Sequence, residues 1–132
     1  MDWTDKAAPS LDDLETMARD AFAGLPREFR DLTGGLVFMV QDFPDDDVIS
    51  DMGLETAFDI LGLFQGSDLA AREGGRDAPQ PTMIFLYRRP ILDYWTESGE
   101  ALGHIVRHVL IHEIGHHFGL SDAAMHAIEE QE

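Results

Sequence analysis

Apolar residues recur at Leu11, Leu14, Met17, Ala18, Ala21, Phe22 and Leu25. Steps of three and four place them on one face of an amphipathic helix. Ser10-Leu11-Asp12-Asp13 has the form of a capping box with Ser10 as N-cap. The helix should therefore open after Ser10 and run to about Gly24, with Pro26 beyond it. Residues 1–9 read as a flexible tail ahead of a single domain over residues 10–132. Phe29 and Leu32 continue the packing before Gly34-Gly35 turns the chain.

Three short apolar runs then predict strands. Leu36 to Val40 lies between glycines and Pro44, Ile60 to Phe64 is the second run, and Thr82 to Tyr87 is the clearest. Leu54 to Phe58 is expected as a short helix. Gln65 to Pro81, rich in Gly and charge, is the longest loop and a candidate flank for an active-site cleft. Pro90 can open a helix at its first position, with Ile91, Leu92, Tyr94 and Trp95 as its apolar contacts. Thr96 to Gly99 breaks it. A mostly apolar helix follows from about Glu100 to Phe118, and Ser121 can cap a final short helix carrying Met125 and Ile128. The order predicts an α+β domain: an N-terminal helix, a small mixed sheet of about three strands, and a C-terminal helix.

Charge narrows the partners. Nine basic against 26 acidic residues leave a formal charge of −17. That balance repels phosphate backbones and anionic membranes, so neither nucleic acid nor a membrane is an expected partner. Asp42, Asp45, Asp46, Asp47 and Asp51 have hard ligands for Ca²⁺. Their spacing does not match an EF-hand, and a solvated loop is the expected structure. With no Cys there is no disulfide framework. The first residues lack the basic and apolar regions of a signal peptide, and no apolar run has the length of a bilayer span. The expected location is the cytoplasm.

The chemistry concentrates in His112-Glu113-Ile114-Gly115-His116-His117-Phe118-Gly119-Leu120-Ser121-Asp122, an H-E-x-x-H-x-x-G-x-x-D pattern. On a helix, residues four apart share a face, so His112 and His116 can aim at one ion. Two imidazoles and one carboxylate leave room for water at Zn²⁺, the catalytic arrangement, whereas structural sites close the fourth position. Glu113 is placed to act as a general base on that water without being a ligand. Gly119 can end the helix in a left-handed cap and turn the chain back. Asp122 then arrives at the offset where metzincins carry their third ligand, a His.

The chain resembles the zincins, and most closely a family of small bacterial zincin-like metallopeptidases sometimes called minimal zincins. Leu61 to Gly66, Ile84 to Pro90 and His112 to Asp122 look like that family's recurring blocks, and the likeness runs from about Leu11 to Met125. The resemblance implies Zn²⁺ on His112 and His116, with Glu113 as catalytic base. Asp122 as third ligand follows from the similar motif of certain small secreted zincins. Two features depart from larger relatives. The chain ends ten residues after Asp122, leaving no room for a long C-terminal subdomain. Met125, the single Met after the motif, comes too soon for the Met-containing turn of metzincins.

Other residues compete for roles. His104 and His108 continue the ladder of His112 and His116, but a helix drifts by about 40° over each such step. The ladder therefore cannot converge on one ion, and His108 is expected to be exposed or packed. His117 points about 100° away from His116. His126 is the alternative third ligand. Tyr87, Tyr94, His104 and His126 are candidate oxyanion donors, and no spacing rule selects among them. The expected function is a Zn²⁺-dependent peptidase acting on peptides or proteins. A metal- or peptide-binding module without turnover, and a metal-dependent amide hydrolase of small molecules, are the alternatives.

Overall fold

The computed structural model describes residues 2–66 and 82–131. Among them six helices and three strands follow in the order α1 (Leu11–Ala23), α2 (Arg27–Asp31), β1 (Leu36–Gln41), α3 (Asp46–Asp51), β2 (Gly62–Gln65), β3 (Thr82–Tyr87), α4 (Arg88–Ser98), α5 (Leu102–His117) and α6 (Asp122–Glu129). The expected loop over Gln65 to Pro81 lies almost wholly outside the described residues. No described helix is long and apolar enough to cross a membrane.

The sheet order is β1-β3-β2, with β3 central. β1 runs parallel to β3 and β2 antiparallel. Phe38 and Phe64 both pair with Ile84, so one buried row crosses all three strands. Alternate residues of a strand face opposite sides. Ile84 and Leu86 therefore lie on the same face as this row, and both are fully buried. Met83 and Phe85, on the other face, are only partly buried, and Val37 is exposed. Helices cover the first face: α1 packs on β1 and α5, while α5 packs on β2 and β3. Leu14, Ala18, Ile105, Val106, Leu110, Ile111 and Ile114 complete the core with the sheet.

α1 begins as the capping box requires. The Ser10 side chain accepts from the Asp13 N–H, and the Asp13 carboxylate accepts from the Ser10 N–H. Its opening is tied to the sheet's far end, where Arg88 Nε donates to the Pro9 carbonyl at 2.6 Å and Nη1 donates to Asp42 at 3.0 Å.

Three local features differ from the pattern-based reading. Leu54 to Phe58 is a turn, not a helix. The Asp59 carboxylate accepts the N–H groups of Glu55 and Thr56 at 3.0 Å each, which offers the backbone an alternative to helical bonding. The acidic stretch carries α3, with Asp46 and Asp47 in its first turn, where negative charge favours a helix. Pro90 is the third residue of α4 rather than the first. It is tolerated because N–H groups in the opening turn have no intrahelical partner.

Candidate metal centre

α5 is apolar on most of its circumference. Ile105, Val106, Val109, Leu110, Ile111 and Ile114 are buried. His108, His112, Glu113 and His116 occupy the remaining stripe. The His112 and His116 rings lie 5.7 Å apart between centroids and cross at 77°. The His108 and His112 rings are stacked at 4.0 Å and 25°. Glu113 is half-buried. Loss of solvent pushes its carboxyl above the usual carboxylate range, and the nearby His116 partly opposes this. Burial, followed by repulsion from His108, pulls His112 below the ordinary imidazole value; Glu129 acts in the other direction.

The helix ends as the motif predicts. Gly119 has φ 76°, a conformation that favours glycine. The Gly119 N–H donates to the His116 carbonyl and the Leu120 N–H to the Gly115 carbonyl at 2.9 Å, the paired bonds of a Schellman stop. The Ser121 side chain then caps α6 by accepting from the Ala124 N–H.

α6 folds back along α5. Met125 is fully buried and seats against Gly115, where any Cβ would fall 2.5 Å from Met125 Sδ. At the far end Arg107 of α5 donates to the carbonyls of Ile128, Glu129 and Gln131 at 2.8–2.9 Å. Carbonyls in the last turn of a helix have spare acceptor capacity, and a cation is favoured at a helix C-terminus. The two contacts fix α6 so that Glu129 reaches back over α5. Its Oε1 lies 3.1 Å from His112 Nε2, and His108 Nδ1 faces the same oxygen.

The structure thus brings together a different set from the motif's. Among the described residues, the one group of three whose ligand atoms all lie within 4.8 Å of one another is His108, His112 and Glu129. His116 lies beside His112 but outside this group. Asp122 is the first residue of α6 and is exposed. His126 faces Glu130 at 3.0 Å, with both side chains 69% exposed. His117 packs on Phe64, ring centroids 4.6 Å apart. Among the candidate donors, Tyr94 donates its hydroxyl to Glu100 at 2.9 Å and His104 lies 3.5 Å from the same carboxylate. Tyr87 is buried, and its hydroxyl pKa is pushed up to about 12 by that burial and by Asp45 and Glu113.

Glu129 is the residue that motif spacing misses. One sequence signal does point to it. Met125, Ile128 and Glu129 fall at i, i+3 and i+4, so the carboxylate sits on the apolar stripe of its helix. A charge there needs a partner.

The donor set suits a transition metal. Imidazole and carboxylate are Zn²⁺ ligands. Among the described residues, His112 Nε2 and Glu129 Oε1 are also buried without a hydrogen-bond partner, as expected of atoms that would face an ion. A cavity of about 260 Å³ adjoins His108, lined by Leu61, Tyr94, Glu100 and Ile105.

No curated protein matches the chain. Residues 33–132, which span the sheet and both C-terminal helices, match the family described as zincin-like metallopeptidase. A half-buried Glu between two histidines on a core helix, laid along a three-stranded mixed sheet, accords with that match: the chain belongs to the zincin-like metallopeptidase family.

Proposed function

We propose that the protein is a Zn²⁺-dependent peptidase. The observation that carries this reading is the setting of Glu113. It is half-buried and desolvated, on the helix that carries His112 and His116, and that helix packs on the antiparallel edge strand β2.

Each residue has a task. His112 and His116 would hold the ion, with Asp122, at the third-ligand offset of the motif, as the carboxylate ligand. Bound there, Zn²⁺ supplies Lewis acidity toward a scissile carbonyl and makes water a better nucleophile. Glu113 takes the proton of the attacking water and passes it to the leaving amine. Its raised pKa makes it a stronger base than an exposed carboxylate. An extended substrate would add to the outer side of β2 through main-chain hydrogen bonds. That edge favours a peptide over a small molecule.

The test separates base from ligands. Glu113→Gln keeps the size of the side chain but cannot accept the proton. It is expected to retain metal and to lose about 10²- to 10⁴-fold in kcat on unstructured peptides. Cleavage at the parent rate would refute the mechanism. A metal-loaded parent that cleaves nothing across a broad peptide set would instead favour the binding module.

A further inference from the structure

We infer that His108, His112 and Glu129 form a second seat for a divalent transition-metal ion, distinct from the His112–His116 pair and competing with it for His112. The seat rests on the peptidase reading only in sharing His112.

Three ligand atoms from two helices converge here, and two of them lack a well-formed hydrogen bond. His112 Nε2 and Glu129 Oε1 are 3.1 Å apart, neither makes a well-formed hydrogen bond among the described residues, and His108 Nδ1 lies against the same carboxylate oxygen. Zn²⁺ holds N and O ligands at about 2.0–2.2 Å in a tetrahedron, which puts neighbouring ligand atoms about 3.3–3.5 Å apart. The His112–Glu129 separation is close to that edge, whereas His108 Nδ1 and Glu129 Oε1 lie nearer each other, so the exposed His108 ring would swing outward to admit an ion. His108 supplies the third corner, since all three ligand atoms fall within 4.8 Å of one another.

Chemistry selects the ion class. Two imidazoles and a carboxylate suit Zn²⁺ or Co²⁺, whereas Ca²⁺ and Mg²⁺ take oxygen ligands. Access is from the His108 side, because that side chain is 50% exposed while His112 and Glu129 are 26% and 17% exposed. Glu129 is delivered by tertiary structure, through the Arg107 clamp and the Met125 seat. His112 offers Nε2 to this seat. If the same nitrogen serves the His112–His116 pair, one ion excludes the other. The chain then binds a single ion, in one seat or the other.

The test is a titration of the metal-free full chain with Co²⁺, read by its visible d–d absorption and by calorimetric stoichiometry. His116→Ala removes the paired seat alone and is expected still to bind one Co²⁺. Losing even a partner outside the coordination sphere costs about 10–100-fold in affinity. Adding Glu129→Gln or His108→Ala to His116→Ala is therefore expected to cost more than about a hundredfold. If His116→Ala binds no Co²⁺, the second seat is overturned while the paired site and the peptidase reading stand. Unchanged binding by either double variant also overturns it. Undiminished binding by His112→Ala overturns both sites. Circular dichroism checks the fold. Should the Glu129→Gln variant unfold, the half-exposed His108 carries the test.

Discussion

Gly115 lies inside the motif but owes its identity to α6. A Cβ at this position would meet Met125 Sδ at 2.5 Å and Met125 Cγ at 2.8 Å, and Met125 is fully buried with little room to yield. Overpacking of this kind costs about 1–3 kcal/mol. Alanine favours a helix interior over glycine by about 1 kcal/mol. Gly115→Ala should therefore destabilise the metal-free protein by about 0–2 kcal/mol, the difference of those two terms. Met125→Ala alone should cost about 2–5 kcal/mol. In that background the clash is gone and only the helix gain remains, so Gly115→Ala should stabilise by about 1 kcal/mol. The sign of one substitution thus reverses with the residue facing it. Urea unfolding of the four proteins, followed by far-UV circular dichroism, gives the cycle. If Gly115→Ala has the same effect in both backgrounds to within about 0.5 kcal/mol, the two residues are not coupled and the account of how α6 is seated fails.

Arg107→Ala removes the donors that close the end of α6. It should cost about 1–3 kcal/mol and speed amide exchange in α6 more than in α5; unchanged protection of α6 would refute the clamp. Burial raises the Glu113 pKa from 4.5, so the folded state holds this proton to higher pH than the unfolded state. The resulting cost to folding is absent well below pH 4.5, grows as pH rises from there, and is complete above the folded pKa. Glu113→Gln should therefore stabilise the metal-free protein at pH 7 and not in acid, and pH-dependent urea unfolding showing no such difference would refute the desolvation.

Local chemistry was legible wherever a few adjacent residues decide the outcome. The α1 cap needs only Ser10 and Asp13. The stop of α5 needs only Gly119, since few other residues enter the left-handed region readily. β3 follows from Thr82 to Tyr87 because a short apolar run bounded by breakers has few other uses. The placing of His112, Glu113 and His116 together on one helix follows from the helical repeat. Leu54 to Phe58 forms a turn instead of the expected short helix. So short a segment gains too few intrahelical bonds to offset its nucleation cost, while the Asp59 carboxylate closes a turn on the Glu55 and Thr56 N–H groups.

The carboxylate nearest the histidines was not legible in this way. By spacing, the motif offers Asp122. The fold brings Glu129 beside His112 instead, and leaves Asp122 exposed at the head of α6. The ladder of histidines could not converge by helix geometry alone, yet His108 and His112 meet across a residue from another helix. Spacing along one helix determines which side chains share a face. Which groups from different elements meet depends on the angle and depth at which two helices dock. Here that docking is set by contacts far apart in sequence, Gly115 with Met125 and Arg107 with the carbonyls of residues 128, 129 and 131.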